Sequence, residues 1–456
     1  MRRLILSVLF LSSFATNAVR AAAIDNARLN GLAWLILNQS GDGSWRDSSG
    51  LEVAQTAAGV EALMNSGITK GNTFSTAVAW LQNYQAYSTD ALSRQAIALF
   101  KAGRNTGGLM TQLINWRNDT TLSWGAYDHY SGSFPDTSLA MQAINITATS
   151  YSNAGYGIGF ITGKQNSDGG WPYNPNDIGT PPSKIIPTAL TLLALNQYNS
   201  VYAVQANITN GVTWLKNQQL SGGGFGEGAT GTLLETALAY RALITIQGTS
   251  DTSVVNAQNY LIAQQQTNGG WGPNDPLATT LILAAMPATV LADTDNDGIP
   301  DALETSSLLG ANIGGTGGDG AAAGKSLAIS NGMSVAGVTK AATLASATLN
   351  VPYSATIAGS GSAPYSITTG RLPDGLSLNG TTGQISGTPT AVGAFDFVYQ
   401  ASASGSIVSV DSQIQVNAIS STQVPAMPDG YMLLLALILQ VLGIVRAGNI
   451  AKSTNA

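Results

Sequence analysis

The strongest constraint on the fold is a repeat that runs through residues 25–287. Each copy has an aromatic residue followed by Leu or Ile, a Gln five positions after that aromatic residue, and a glycine turn that ends in a second aromatic residue. Successive copies that start at Trp214 and Tyr260 lie 46 residues apart, a length that fits two helices and their loops. Four copies are clear, starting at Trp34, Phe160, Trp214 and Tyr260, and two degenerate copies lie near Trp80 and between residues 113 and 124.

Each copy predicts a helix, a turn and a second helix. The first aromatic residue and the Gln fit the last turns of an amphipathic helix, and the glycines then end it. The second aromatic residue is expected to dock on that helix, and the Gln amide to satisfy free N–H groups at the start of the next one. An apolar helix is expected to follow each turn, giving six hairpins and twelve helices. These apolar segments span residues 54–63, 92–100, 137–146, 188–195, 233–246 and 278–285.

This pattern resembles the QW motif of squalene–hopene cyclases and the repeat of prenyltransferases and squalene oxidases. The resemblance covers roughly residues 25–287. It implies an all-α (α/α)6 toroid over residues 24–290, with an inner ring of helices inside an outer ring and a cavity at the centre. It says much less about chemistry, because function belongs to sites rather than to folds.

The residue types present exclude several activities that such folds carry. The chain has no cysteine and a single histidine, His129, so the Cys- and His-ligated zinc that the resemblance implies for protein prenyltransferases cannot form. Terpene cyclases of this class protonate an alkene with a DxDD motif followed by Thr. Asp136 and Thr137 match its end, but Pro135 replaces the neighbouring Asp. Asp136 is the candidate catalytic acid, and the alternative is a helix N-cap, the more common role of a lone Asp at a helix start.

Aromatic and polar residues concentrate in the stretch of residues 124–130, close to Asp136. Aromatic faces with a few polar groups suit a glycan, a peptide or an isoprenoid chain. The alternative is a loop whose aromatic residues pack against the hairpin and whose histidine is merely exposed. The residues predicted to bind a ligand at the mouth of the cavity are Trp124, Tyr127, Asp128, His129, Trp171 and Tyr173.

An acidic segment at residues 291–305 predicts a calcium-binding loop. Acidic residues stand at loop positions 1, 3, 5, 9 and 12 with Gly298 at position 6, and oxygen ligands at that spacing wrap a Ca²⁺ ion. The loop resembles the EF-hand-like loops of thrombospondin type 3 repeats; the alternative is an acidic, solvated linker. The predicted ligands are Asp293, Asp295, Asp297, Ile299 through its backbone carbonyl, Asp301 and Glu304.

The chain then changes to a β pattern. Residues 306–340 are rich in Gly, Ala and Ser and predict a linker, whereas residues 341–418 show short alternating runs between Gly and Pro turns. The segment 372–389 within this region resembles the Ig modules of bacterial surface proteins. The resemblance implies a small all-β, cadherin-like sandwich that serves as a spacer or an adhesive unit.

Both ends of the chain predict targeting. Residues 1–23 have Arg2 and Arg3, an apolar run and small residues, the pattern of a secretory signal peptide. Residues 419–456 contain an apolar run at 431–445 followed by Arg446, which predicts a C-terminal transmembrane helix. Together with the Val-Pro-Ala-Met-Pro at 424–428, this tail resembles the PEP/IPTL-type sorting tails of Gram-negative bacteria, although its basic end is thin.

The sequence therefore predicts an exported, multidomain protein anchored in the membrane, facing the cell surface or the periplasm. Charged residues make up only 10% of the chain, the net charge is −6 and no Lys/Arg cluster lies between the termini, so nucleic acid is not an expected partner. Two functions stay open. In the first, the toroid binds a ligand or a cell-surface protein partner. In the second, the chain is an exported enzyme that acts on an isoprenoid through Asp136, which a second carboxylate within hydrogen-bond reach would favour.

Overall fold

A computed structural model of the chain describes residues 2–175, 181–293, 299–304, 328–329, 334–335, 338–339, 344–357, 362–403 and 406–418. The helical part comes first and the strands follow it. The helices are α1 (Arg2–Asn38), α2 (Glu52–Asn65), α3 (Asn72–Asn83), α4 (Thr89–Lys101), α5 (Gly107–Asn115), α6 (Phe134–Ile146), α7 (Ala154–Thr162), α8 (Ile185–Tyr198), α9 (Gln205–Asn217), α10 (Leu233–Gln247), α11 (Thr252–Ala263), α12 (Pro276–Ala285) and α13 (Asp301–Glu304).

The even-numbered helices α2 to α12 form a closed inner ring. Each packs against the next, and α12 packs back against α2. The odd-numbered helices α1 to α11 lie outside this ring, each against the inner helix that precedes or follows it. The six apolar segments predicted from the sequence all lie within the inner helices, and the prediction of a helical toroid is confirmed. The inner helices are apolar around most of their circumference because they contact neighbours on several sides, and nearly every residue of α8 and α12 is buried.

The second aromatic residue of the repeat joins the two helices of a hairpin. Trp45, Trp124, Trp171 and Trp271 are fully buried. Each indole N–H donates to a carbonyl at the end of the outer helix, as Trp171 does to Ile161 at 2.9 Å. Each backbone N–H donates to a threonine hydroxyl on the inner helix, as Trp171 does to Thr188 at 2.9 Å. The expected docking of the aromatic residue on the preceding helix is what the structure shows.

The repeat glutamine joins one hairpin to the next, with a polarity opposite to the expected one. Its side-chain amide nitrogen donates to two carbonyls, whereas the sequence analysis expected it to satisfy N–H groups. One acceptor is the carbonyl of a glycine in its own turn, and the other is a carbonyl in the next outer helix. Gln219, for example, donates to Gly223 at 2.9 Å and to Ser253 of α11 at 2.8 Å. Gln39 and Gln165 make the same pair of bonds to α3 and α9.

The last copy closes the ring. Gln265 donates to Gly269 and to the carbonyl of Ala27 in α1, both at 2.8 Å. Two separate constraints require a glycine in these turns. Gly223 has φ +87°, and a Cβ there would lie 2.5 Å from the carbonyl oxygen of Asn256 in the next outer helix. The turn therefore positions both the glutamine and the neighbouring hairpin.

The first degenerate copy replaces the missing aromatic residue with a glutamine. No Gly-Gly-aromatic turn joins α3 to α4. The Gln95 side chain, from α4, donates instead to the carbonyls of Leu81 at 2.5 Å and Tyr84 at 2.7 Å. Leu81 is the counterpart of Ile161, whose carbonyl receives an indole N–H. The same carbonyl is therefore satisfied by a different side chain.

The strands form the β-module. A central antiparallel sheet pairs β9 with β6 and β10, a second sheet has the order β5-β8-β7, and tyrosine, phenylalanine and isoleucine side chains fill the core. In that core, the Tyr399 hydroxyl donates to the carbonyl of Ile357 at 3.1 Å. The strands are β1 (Ala328–Ile329), β2 (Ser334–Val335), β3 (Val338–Thr339), β4 (Ala347–Thr348), β5 (Tyr353–Thr356), β6 (Ser362–Gly370), β7 (Leu376–Leu378), β8 (Gln384–Gly387), β9 (Gly393–Ala403) and β10 (Ser406–Asn417).

The predicted membrane anchor at residues 419–456 lies outside the described residues. Among the residues that are described, no helix is both long enough and apolar enough to span a membrane. The C-terminal transmembrane helix expected at residues 431–445 therefore stays a prediction. Most of the linker predicted for residues 306–340 also lies outside the described part of the chain.

We expect Gln265→Ala to destabilise the toroid by about 2 kcal/mol, because it removes two hydrogen bonds worth about 1 kcal/mol each and leaves two carbonyls without that donor. Thermal unfolding followed by circular dichroism measures the change. The matched control is Gln266→Ala, next in sequence, whose exposed side chain makes only a local bond to Gln264 and which should leave the midpoint unchanged. Equal midpoints for the two variants would contradict a role for Gln265 in ring closure.

Candidate functional site

Four exposed tyrosines lie in loops that lead into the inner helices, at the end of the ring where those helices begin. We call this set the tyrosine face: Tyr87, Tyr127, Tyr130 and Tyr173. Hydrogen bonds join the three loops to one another. The N–H of Thr89 donates to Ala126 at 2.9 Å, and the N–H of Phe134 donates to Tyr173 at 3.1 Å.

The loop at residues 116–133 carries two of these tyrosines and is held from within. Tyr127 is 50% exposed and Tyr130 59% exposed, and their rings meet edge to face with centroids 5.3 Å apart. The Asn118 amide donates to the carbonyl of His129 at 2.5 Å, while its oxygen accepts two backbone N–H groups. His129 has a left-handed backbone (φ +58°), and its ring pairs with the carboxylate of Asp128. The exposed aromatic and polar groups are therefore presented by a fixed loop.

The structure separates the six predicted ligand-binding residues into two groups. Tyr127, Asp128, His129 and Tyr173 are exposed, and their loops meet at the same face. Trp124 and Trp171 lie in the core and use their indole N–H groups within the hairpin. The repeat explains this difference, because both tryptophans occupy its second aromatic position. Tyr130 lies within the stretch 124–130 but was not among the predicted ligand-binding residues, and Tyr87 was missed. The only sequence signal of Tyr87 is an aromatic side chain in a polar loop.

Asp136 is not the N-cap of its helix. That position belongs to Ser133, whose hydroxyl oxygen accepts the Asp136 backbone N–H at 3.1 Å and whose hydroxyl donates to Asp136 Oδ2 at 2.5 Å. Asp136 is therefore the third residue after the N-cap, and Pro135 lies between them in the first turn. The prediction that Asp136 is the N-cap is wrong, because Ser133, three residues earlier, holds that position.

Burial raises the pKa of Asp136 to about 6, although its bond to Ser133 opposes the change. The neighbouring Asp90 raises this pKa further, and Arg94 lowers it. Arg94 is itself committed to Asp90, with its Nε 2.8 Å from Asp90 Oδ1. Within the described residues, no second carboxylate hydrogen-bonds to Asp136. Asp90 on α4 is therefore a neighbouring acid, but it does not make the hydrogen bond to Asp136 that sharing a proton would require.

The central cavity lies toward the C-terminal ends of the inner helices, away from the loops that lead into them. It has a volume of about 160 Å³ and takes lining residues from all six inner helices. Lys101 and Thr245, near the ends of α4 and α10, are exposed at its rim, whereas Leu139 and Leu281 are buried deeper. None of the six predicted ligand-binding residues lines this cavity. The tyrosine face and the cavity are therefore two separate candidate sites.

A buried carboxylate is shared by two cations at the side of the cavity. Glu61 Oε1 on α2 lies 2.5 Å from Lys101 Nζ on α4 and 2.7 Å from Arg241 Nη2 on α10. Burial alone would raise the pKa of Glu61, but the charges of Arg241 and Lys101 outweigh it and lower that pKa to about 2. No sequence motif marked this cluster, since its members are 40 and 180 residues apart.

The two ends of the predicted calcium loop lie close together. The N–H of Asp301 donates to the carbonyl of Ala292 at 2.9 Å, which brings the two ends together, and the fully buried Leu303 anchors α13 beside α1. Asp295 and Asp297 lie outside the described residues, as does the side chain of Glu304. In the part of the chain that is described, no group of three His, Cys, Asp or Glu side chains could hold a metal ion. Carboxylate oxygens are hard donors that suit Ca²⁺, and the calcium site stays a prediction.

Comparison with known proteins identifies the β-module and adds fold likenesses for the rest. Residues 336–417 match the family described as Putative Ig domain, which overlaps the module predicted for residues 341–418. No curated protein matches the chain.

Several solved structures are similar to this chain. A protein from Actinoplanes is 15% identical, with 58% of this chain and 98% of that chain covered and a TM-score of 0.45. An ent-copalyl diphosphate synthase from Streptomyces platensis is 18% identical over 52% of this chain and 50% of its own, with a TM-score of 0.40. An inactive variant of an alpha-1,6-mannanase from Salegentibacter is 11% identical, with 58% of this chain and 98% of that chain covered and a TM-score of 0.44. None of these likenesses identifies an activity for this chain.

We expect Asp136→Asn to stabilise the protein at pH 7.5 and to have little effect at pH 4. A folded-state pKa raised from 3.8 favours the protonated carboxyl in the folded protein, so its contribution is complete below pH 3.8 and is lost as the pH rises through about 6. The neutral amide avoids this loss, and the gain at pH 7.5 should be on the order of 1 kcal/mol. Urea unfolding at the two pH values measures it. An effect of equal size at both would rule out burial of an ionised Asp136.

We expect Ca²⁺ to raise the thermal midpoint of the full chain. A ligand that binds only the folded state at a concentration about 100-fold above its dissociation constant adds about 2.7 kcal/mol. Calorimetry with and without Ca²⁺ measures the effect. Asp297→Ala should abolish it, whereas Asp319→Ala, an acid of the following linker, should not. A parent chain that shows no response to Ca²⁺ would contradict the assignment.

Proposed function

We propose that this chain is an exported, membrane-anchored surface protein whose toroid binds a glycan through the tyrosine face. The observation that carries the proposal is the set of exposed tyrosines on one end of the ring, held by loops that bond to one another. Surface tyrosines in a fixed geometry lose little conformational freedom on binding, which favours recognition. The Ig-like module then acts as a spacer or an adhesive unit between the toroid and the membrane.

A glycan fits this face better than the other two ligand classes. The C–H edges of a sugar ring carry partial positive charge and suit the negative face of an aromatic ring. The carboxylate of Asp128 and the ring of His129, both exposed beside Tyr127 and Tyr130, can bond to sugar hydroxyls. An isoprenoid needs an enclosed apolar site, whereas this face is open and contains charged groups. An extended peptide would be expected to use backbone groups at a strand edge, which these loops do not offer.

An enzyme acting on an isoprenoid through Asp136 is the second candidate. It is favoured by the raised pKa of Asp136, since a general acid must hold its proton near the working pH. Against it, Asp136 does not line the central cavity, and a cavity of about 160 Å³ is below the roughly 300 Å³ at which ligand pockets commonly begin. A triterpene-sized chain would not fit there.

Calcium and export complete the proposal. A Ca²⁺ ion held by Asp293, Asp295, Asp297, the carbonyl of Ile299, Asp301 and Glu304 would stiffen the junction after the toroid once the chain is outside the cell. Export rests on the pattern of residues 1–23, and anchoring rests on residues 419–456. Retention in the membrane fraction of a chain that ends before Thr422 would contradict the anchor.

We expect the full chain to bind an insoluble polysaccharide in a sedimentation assay against peptidoglycan sacculi, mannan and cellulose. Tyr127→Ala and Tyr130→Ala should each weaken that binding about tenfold, the equivalent of roughly 1.4 kcal/mol from one lost aromatic contact. The matched control is Tyr156→Ala on α7, which is 52% exposed but lies outside the tyrosine face.

Two results would overturn the glycan proposal. One is a parent chain that binds none of the polysaccharides, and the other is an equal loss in the Tyr156→Ala control. Incubation with squalene and shorter polyprenyl substrates tests the second candidate in parallel. A cyclised product from the parent that is absent with Asp136→Asn would establish the enzyme instead.

A further inference from the structure

The central cavity has the make-up of a binding site that is independent of the tyrosine face. Its deeper walls are aliphatic and are contributed by four different inner helices. They include Leu139, Leu190, Leu238 and Leu281, all of them buried. Such walls favour an apolar group of matching size, because its transfer from water is favourable. The amides of Gln142 and Gln197 are the polar groups of the lining besides the charged residues and Thr245.

The rim of the cavity carries an excess of positive charge. Lys101 and Arg241 both line the cavity and share the single carboxylate of Glu61, which leaves one positive charge without a partner in this cluster. Arg94, the third cation in the lining, is paired with Asp90. Lysine has three N–H donors and arginine five, and the contact to Glu61 occupies only part of them. Donors on Lys101 and Arg241 therefore remain for an anion at the rim.

The helix dipole alone does not explain where these cations lie. Lys101 is the last residue of α4, where a cation is favoured by the helix dipole. That effect needs no second cation and no buried acid, whereas here Lys101 and Arg241 come from different helices and converge on the cavity. A buried acid that is paired with two cations also fixes the position of both, which prepares them to receive an anion without further ordering.

We propose that the central cavity binds a short aliphatic carboxylate, with the chain among the leucines and the carboxylate on Lys101 and Arg241. A guanidinium and an ammonium are the donors that pair best with a carboxylate. The size follows from the volume of about 160 Å³, since an apolar cavity of about 150 Å³ is known to admit a six-carbon ring. The ligand is therefore a carboxylate of about six carbons.

Isothermal titration of the full chain with hexanoate, hexan-1-ol and hexylamine tests the proposal. Hexanoate should bind, and the alcohol and the amine, which have the same chain without the anionic head, should bind at least about tenfold more weakly. Lys101→Met keeps an unbranched chain, leaves Glu61 paired with Arg241, and should weaken hexanoate binding about tenfold or more. Lys164→Met, on the exposed surface beyond α7, is the matched control and should bind hexanoate as the parent does.

A variant at the rim tests whether hexanoate enters the central cavity. Thr245 is exposed at the mouth, so Thr245→Phe narrows the entrance without disturbing buried packing and should abolish hexanoate binding while the thermal midpoint is kept. Tyr127→Ala should bind hexanoate normally, which separates this site from the glycan site. No binding of hexanoate by the parent at millimolar concentration, or equal binding of hexan-1-ol, would overturn the proposal.

Discussion

Closure of the ring is the constraint on which the toroid depends: α12 packs against α2, and Gln265 of the last copy donates to Ala27 of α1. Every other repeat glutamine links hairpins that follow one another in the chain, and such links alone would give an open stack. Closure means that each inner helix has a neighbour on both sides. The central cavity exists only because the ring is complete, and its lining needs all six inner helices at once.

The common direction of the inner helices sets the electrostatics of the two ends of the ring. All six inner helices run in the same direction, since each is entered from an outer helix on the same side. Acidic residues occupy the first turns of α2, α4, α6 and α10, where the helix dipoles are positive. The rim at the other end carries Lys101 and Arg241. The two ends are chemically different, and a hydroxyl-rich ligand at one and an anion at the other are consistent with that difference.

The sequence was sufficient to predict the helices, but it predicted the residues of the candidate sites much less well. The period of the repeat located all six inner helices, because an aromatic residue, a glutamine and a glycine each perform a local task that leaves a local pattern. The same logic misled the assignment of Trp124 and Trp171, since a buried repeat aromatic and an exposed binding aromatic are the same residue type. The cluster of Glu61, Lys101 and Arg241 left no pattern at all, because three distant helices supply one residue each. A contact among residues from different copies of the repeat leaves no sequence pattern within any one copy.

Three of the four residues of the tyrosine face lie where the repeat breaks down, whereas Tyr173 follows the clear copy that starts at Phe160. In the clear copies, the turn residues accept the glutamine bonds and place the buried aromatic residue. Few turn positions are then available for exposed aromatic side chains. In the two degenerate copies, Gln95 and the Asn118 network take over the structural bonds. The loops at residues 84–88 and 116–133 are then free to carry Tyr87, Tyr127 and Tyr130. Local departures from an otherwise consistent pattern are expected at functional sites, and here the stability that the departure gives up is restored by named polar contacts nearby.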